Sequence, residues 1–449
     1  ALVVAGQKAG LHANEFRSRH QRLDVIPFES DTQYMATLNR FDSKNRILLK
    51  GAPETVIERC NLDKAGQQAV HEAMATYARQ GMRVIACAQR RDVAAEDISP
   101  GDVTQDLQFA GLLCMIDPPR TETMDAIRVC HSAGITVKMI TGDHPVTAEA
   151  IGLQLGLLKH GQGALTGRDL QGLSEAELQS TVMSTNVFAR VAPEHKIALV
   201  QALQAQRHVV AMTGDGVNDA PALKRADIGI AMGITGTAVS KEAAKVVLMD
   251  DNFASITAAV EEGRRVYDNL IKSLAFVLPT NLGLACILTA SMFFFPTVQV
   301  DGVNELLMAM SPSQTLWINL VASITLSIPL AFEVLEPNAM RRMPRSPDEP
   351  VFSGFIVARL IIVALLMSAA ACGLFLWEYF RIVGPEPVTT ARHALALAEA
   401  QTICVTSITF TQIFYLLNCR SLRDSLFSQG VFSNPSLFIG IGKIGRAHV

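Results

Sequence analysis

Four long runs without a single charged side chain dominate the second half of this chain: residues 273–300, 306–332, 360–377 and 400–419. A helix needs roughly 20 apolar residues to cross the hydrocarbon of a bilayer. Only helices or closed barrels satisfy their backbone groups there. Four such runs in succession read as transmembrane helices, and buried core helices of a large soluble protein are the weaker alternative. A fifth stretch, 425–442, is polar at its start and is expected to begin a helix near Pro435.

Loop charges orient the bundle. Asp301 and Glu305 lie in the first loop, Arg341, Arg342 and Arg345 in the second. The third is mixed (Glu378, Arg381, Glu386, Arg392), and Arg420 and Arg423 follow the fourth run. Positive charge favours the cytoplasmic side. The second and fourth loops, and everything before residue 270, are therefore expected in the cytoplasm of a multi-pass inner-membrane protein. No signal peptide is visible. Formal net charge is −3 over 449 residues, which gives no basic field for nucleic acid. The eight cysteines form no CxxC pair and read as reduced and structural. Ile444 to Val449 breaks the membrane pattern, matches one reading frame of a common sequencing adapter, and is expected not to belong to the natural protein.

The first half reads as a charged, glycine-punctuated soluble region. Val209 to Met212 is a short apolar run followed by Thr213-Gly214-Asp215-Gly216-Val217-Asn218-Asp219-Ala220-Pro221-Ala222-Leu223. A buried parallel strand ending in a Gly/Asp loop is where doubly wound folds place ligands. Two carboxylates and an amide within five residues suit a hard cation such as Mg²⁺. A second strand, 135–140, ends in Thr141-Gly142-Asp143, where Thr141 could bond a phosphate oxygen. A third unit, Val187-Phe188-Ala189-Arg190-Val191-Ala192-Pro193-Glu194-His195-Lys196, puts Lys196 at the head of an amphipathic helix, where it could neutralise a phosphoryl group. Asp117-Pro118-Pro119-Arg120 ends a fourth apolar run. Read singly, these are an Asp-Gly turn, a common loop and a solvated lysine.

Together, and with Ala226-Asp227-Ile228-Gly229-Ile230-Ala231-Met232-Gly233 following, they resemble the phosphorylation domain of P-type ATPases. The resemblance runs to about residue 440. It implies an α/β haloacid-dehalogenase-like phosphorylation domain (111–255), an α+β nucleotide-binding domain (1–110) and an α-helical transmembrane bundle (256–443), with 444–449 as the tail. By resemblance, Asp215 and Asp219 hold Mg²⁺, with Asp215 the direct ligand, and Asn218 orients the phosphoryl group. Thr141, Gly142 and Asp143 line the same pocket, and Lys196 stabilises the phosphoryl charge. The family's chemistry is attack of an aspartate on the γ-phosphate of ATP, then hydrolysis of the aspartyl phosphate. The family carries that aspartate in an Asp-Lys-Thr-Gly-Thr string, which does not occur in this sequence. The expectation is a chain cut off after it, unable to form the phosphoenzyme by itself. Such a chain would lack the central strand of its sheet and be poorly stable, with unpaired edges.

Upstream, Ile26-Pro27-Phe28-Glu29-Ser30, Ile47-Leu48-Leu49-Lys50-Gly51-Ala52-Pro53-Glu54 and Gly81-Met82-Arg83 resemble the nucleotide-binding domain. There Phe28 stacks on adenine, Lys50 lies beside the ring and phosphates, and Arg83 reaches the phosphates. Where the family often has a lysine, Gln33 stands.

In the first membrane run, Pro279 cannot donate the usual backbone bond and frees the carbonyl of Ala275. Thr280 and Asn281 follow it. In the second, Asn319, Ser323 and Ser327 fall at i, i+4 and i+8, one face of a regular helix, and Pro329 frees the carbonyl of Thr325. These groups, with Gln412 in the fourth run, either coordinate a cation or bond helix to helix. Leu278 to Gly283 and Leu316 to Val321 resemble the fifth and sixth helices of calcium and sodium/potassium pumps. Leu284, Ser323 and Gln412 stand where calcium pumps carry carboxylates, which argues against a typical calcium site. No transmembrane Cys-Pro-Cys points to a heavy metal. The leading expectation is an ATP-driven cation pump whose partners are ATP, the cation and the bilayer. A nucleotide-binding regulator without turnover and a lipid flippase of the same superfamily are the alternatives.

Overall fold

The computed structural model describes residues 2–29, 32–42, 44–116, 118–385, 388–422, 430 and 432–447. Ser30, Asp117, Glu386, Arg423 and the start of the fifth apolar stretch lie outside these. The chain forms two units, residues 1–131 with 135–255, and residues 132–134 with 256–449.

The first unit opens with α1 (Leu2–Lys8) and α2 (Ala13–Arg19). Next comes an antiparallel sheet in simple order: β1 (Arg22–Ile26), β2 (Tyr34–Phe41), β3 (Lys44–Gly51), β4 (Arg83–Val93) and β5 (Gln108–Met115). Between β3 and β4 lie α3 (Pro53–Ile57) and α4 (Lys64–Arg79). Along β2 and β3 every second side chain is buried (Tyr34, Ala36 and Leu38; Ile47 and Leu49), the period-2 pattern of a sheet with one covered face. Val56, Val103 and Leu107 close that core.

Alternating short strands and helices follow: α5 (Thr121–Ser132), β6 (Met139–Ile140), α6 (Pro145–Gln154), β7 (Leu165–Thr166), α7 (Gly167–Gln171), α8 (Glu175–Ser184), β8 (Val187–Ala189), α9 (Pro193–Ala205), β9 (Ala211–Gly214), α10 (Ala220–Arg225), β10 (Ile228–Met232), α11 (Ala238–Ala243) and β11 (Val246–Leu248). Their strands pair in parallel as two separate three-stranded sheets, ordered β6-β8-β7 and β11-β10-β9. Val187, Phe188 and Ala189 are fully buried, as a central parallel strand requires. Among the described residues, β6 and β9 each pair on one side only.

Among the described residues, the second unit holds four helices long and apolar enough to cross a membrane. α12 (Phe253–Phe294) leads to a hairpin of β12 (Thr297–Val300) and β13 (Val303–Leu306). The uncharged run 273–300 is not one membrane helix to its end, because Thr297–Val300 form a strand. Asp301 and Gly302 take φ of 46° and 85°, the left-handed pair that closes a two-residue hairpin. The second span, Pro312–Phe332, is interrupted. α13 (Pro312–Trp317) passes into a π-helical segment, Ile318–Ala322, then α14 (Ser323–Ser327) and a 3₁₀ turn, Ile328–Phe332. α15 (Gly354–Val383) and α16 (Thr390–Cys419) pack closely along small residues, with Ala364, Ala371, Ala396 and Ala400 at most 1% exposed. A terminal helix, Pro435–Ala447, packs on the second span. It begins at Pro435 as its sequence suggested, and it runs on through Ile444.

Candidate active site

The loop after β9 fixes two aspartates differently. Gly214 must be glycine, since a Cβ there would lie 2.5 Å from the Cβ of Asp219. Asp219 folds back over the turn. Its Oδ2 accepts the backbone N–H groups of Asp215 at 3.3 Å and Gly216 at 3.1 Å. Its Oδ1 accepts Lys196 Nζ at 2.5 Å, in a pair only 18% and 10% exposed. Asp215 is anchored by its carbonyl, which accepts from Thr237 N–H at 2.9 Å and Ser240 Oγ at 3.0 Å. Its own carboxylate is exposed and has no protein partner among the described residues. Asn218 is exposed beside it in the turn Val217–Asp219.

The loops after β6 and β8 are joined to each other. Thr141 N–H donates to Phe188 O at 2.9 Å, Arg190 N–H to Asp143 O at 3.2 Å, and Val191 N–H to Thr141 O at 3.3 Å. From the second loop α9 starts at Pro193 and carries Lys196 to Asp219, so one ion pair links the ends of the two parallel sheets. Thr141 bonds within its own loop. Its Oγ1 donates to Asp143 Oδ2 at 3.0 Å and accepts Asp143 N–H at 3.1 Å, so the hydroxyl shapes its own loop. Gly142 is open to solvent.

In the antiparallel sheet, Ile26 pairs with Ala36, Ala36 with Leu49, and Leu49 with Ala88. Phe28, Lys50 and Arg83 therefore lie toward one end of it. Phe28 is 59% exposed, Lys50 is exposed, and Arg83 Nε stands 3.6 Å from Asp143 Oδ1. Gln33 takes φ of 58° and its carbonyl accepts Ala52 N–H at 2.9 Å, so it serves as a turn residue. A further group joins these loops. Glu54 Oε1 lies 3.0 Å from both Arg190 Nη2 and His144 Nε2. Burial pushes its carboxyl up, but the hydrogen bond from His144, its own backbone N–H and the charge of Arg190 outweigh that and hold it down at about 2.

In the membrane unit, Thr280, Ser323 and Gln412 are buried at 1%, 3% and 0% exposure, whereas Asn281 and Asn319 are exposed. The single helical face read for Asn319, Ser323 and Ser327 does not exist. The π turn inserts an extra residue and rotates Asn319 away from Ser323, whose hydroxyl donates to Ile318 O at 3.2 Å. The Ala275 carbonyl freed by Pro279 already accepts a hydrogen bond from Tyr415 Oη at 2.9 Å. The Thr325 carbonyl sits against Gly440, where a Cβ would approach to 3.0 Å. Gln412 keeps both amide atoms buried without a hydrogen-bond partner among the described residues. Glu333 is fully buried and accepts Arg420 Nε at 2.7 Å and Asn434 Nδ2 at 3.0 Å.

Comparison with known proteins decides the family. Residues 1–122 match the model of the P-type ATPase cytoplasmic domain N, and residues 307–444 that of the cation transporting ATPase C-terminus. A "Probable cation-transporting ATPase F" of Mycobacterium tuberculosis is 42% identical over 98% of this chain and 48% of its own length. "Cation-transporting ATPase pma1" of Synechocystis is 43% identical over 95% and 46%. "Calcium-transporting ATPase 1" of Bacillus cereus is 37% identical over 98% and 50%. The chain belongs to the P-type cation-transporting ATPases. It spans about half the length of the curated relatives it matches.

In this P-type ATPase chain, sequence reasoning located the strand-end loops of the soluble unit. It missed the residues that hold those loops in place: Glu54, His144, Arg190, Thr237 and Ser240. Glu54 had one available signal, its position four residues after Lys50 in a Gly-Ala-Pro-Glu turn. Among the described residues no group of three or more His, Cys, Asp or Glu side chains forms a metal cluster. The two aspartates of the β9 loop stand as a pair.

Proposed function

We propose that the complete protein is an ATP-driven cation pump of the inner membrane, working through an aspartyl phosphate on a haloacid-dehalogenase-like domain. The observation that carries this reading is the division of labour in the β9 loop. Asp219 is neutralised by Lys196 and by two backbone N–H groups, while the neighbouring Asp215 carboxylate faces solvent uncommitted. An exposed, anchored carboxylate beside an exposed amide fits a hard dication that keeps most of its waters. Asp215 would hold Mg²⁺ directly, with Asp219 behind it. Bound there, the ion would draw charge from the phosphoryl oxygens.

The chain's own residues would do the rest. Lys196 stands where it can share its charge between Asp219 and an incoming phosphoryl group. Asn218 would orient that group, and the Thr141–Asp143 loop would wall the pocket. Phe28, Lys50 and Arg83 would bind ATP by stacking and by charge. The phosphorylated aspartate would come from the part of the complete protein outside these residues, and its strand would fit between β6 and β9. The cytoplasmic side would hold the whole first unit.

The ion is better described as a cation than as calcium. Leu284 is buried where calcium pumps carry a carboxylate, and Ser323 and Gln412 are neutral. Gln412, buried and unpartnered, supplies an amide oxygen for a partly dehydrated ion. The test is ATPase activity of the purified complete protein with single cations added, next to the variant Asp215→Asn. Stimulation by one cation is expected, together with at least a hundredfold loss of Mg²⁺-dependent phosphoenzyme in the variant. Stimulation by lipids alone, or an unaffected variant, would overturn the reading.

A further inference from the structure

We infer that Glu54 is a positioning residue that seats the antiparallel, nucleotide-binding sheet on the loops of the phosphorylation lobe for phosphoryl transfer from ATP. The inference rests on the pump reading above. Glu54 stands at the start of α3, directly after Pro53, so its direction is set by a rigid turn. That turn follows β3, whose last residues are Lys50 and Gly51. Gly51 is closed to any side chain, because a Cβ there would lie 2.5 Å from Gln33 O. Glu54 and the nucleotide candidate Lys50 therefore move as one piece.

The two groups that grip Glu54 come from the other lobe, from the loops that carry the phosphoryl chemistry. His144 immediately follows Thr141-Gly142-Asp143 and caps α6. Its Nδ1 accepts Val146 N–H at 3.3 Å, so the proton sits on Nε2, which points at Glu54 Oε1 at 3.0 Å. Arg190 leads through Val191 and Ala192 into the helix of Lys196. It holds a left-handed φ of 49°, rare for a side chain of this kind, and its N–H is tied to Asp143 O. Its guanidinium reaches the same Oε1 at 3.0 Å. One carboxylate oxygen thus holds both loops at once. The three side chains are each about one-third exposed, so they are accessible to change without unfolding a core.

Chemistry separates this role from a purely structural one. Transfer from ATP needs both lobes, since the nucleotide is held on one and the acceptor aspartate lies on the other. Phosphorylation of the same aspartate by inorganic phosphate needs the phosphorylation lobe alone. The experiment uses the complete protein and the variants Glu54→Gln, Glu54→Asp and Arg190→Gln. Acid-stable phosphoenzyme is measured from MgATP and, separately, from Mg²⁺ with inorganic phosphate. For Glu54→Gln, the ATP concentration for half-maximal phosphorylation should rise about tenfold, with formation from phosphate within about twofold of wild type. Glu54→Asp should recover part of the loss. Combining Glu54→Gln with Arg190→Gln should cost little more than the worse single change, because the two act through one contact. An equal fall with both donors, or no change with either, would overturn the positioning role. A wild-type protein that forms phosphoenzyme from neither donor would overturn the pump reading and this inference with it.

Discussion

Glu54 shows how one oxygen can set the behaviour of a junction. Its carboxyl sits at about 2 in the folded chain, well below its ordinary value of 4.5. The sign follows directly. A group whose value is depressed by folding stabilises the fold above its unfolded value, and that contribution is lost as pH falls toward the folded one. The soluble unit is therefore expected to weaken progressively between about pH 5 and pH 2, in part through this group. Glu54→Gln should flatten that part of the pH dependence of melting followed by circular dichroism. An identical slope in the variant would show that other carboxylates govern it. The places of Asp215, Asn218, Asp219, Lys196 and Thr141 were legible in the sequence, because these candidates lie in short strings at strand ends. The residues that hold them were not. Glu54 and Arg190 are 136 positions apart, and nothing in either local string announces the other.

Among the elements, α12 and α16 make the clearest case. A proline inside a membrane helix strands the carbonyl one turn back, which in hydrocarbon must find a donor or line a wet cavity. Here the donor is Tyr415 Oη, reaching across from α16 to Ala275 O. Removing the hydroxyl leaves a buried acceptor unpaired, which costs about 1–3 kcal/mol. Tyr415→Phe is expected to lower the melting temperature of the detergent-solubilised protein by a few degrees while keeping nucleotide binding. An unchanged melting temperature would mean that the carbonyl finds another donor. The long helices were legible because apolar runs of this length have one stable solution in a bilayer. The π segment, Ile318–Ala322, was not, since inserting one residue changes no property of the composition. The hairpin at the end of α12 was hidden for a related reason. Thr297 to Val300 is as uncharged as the last 22 residues of α12 before it, and only Asp301-Gly302 signals the turn.

At the scale of the whole molecule, the two parallel sheets bear on how this chain works with the rest of its protein. β6 and β9 each have one bonded neighbour among the described residues, and both end in the loops of the candidate site. Open parallel edges of this kind accept a further strand through main-chain hydrogen bonds. If the proposed reading is correct, the strand carrying the phosphorylated aspartate pairs with both edges at once. It joins the sheets into one and sets its carboxylate beside Asp215 and Lys196. The curated relatives have about as much chain again as the region matched here, enough to supply it. Residues 1–449 expressed alone in membranes should then form no acid-stable phosphoenzyme from ATP or from inorganic phosphate, for want of the nucleophile. Co-expression with the remaining part of the same protein, as a separate polypeptide containing the Asp-Lys-Thr-Gly-Thr strand, should restore phosphorylation on that second polypeptide. Changing its aspartate to asparagine should abolish the signal again. Phosphoenzyme on residues 1–449 themselves would place the nucleophile in this chain and refute the arrangement. Failure of the two parts to associate, with the uncut protein active, would show that the edges do not suffice to recruit the strand.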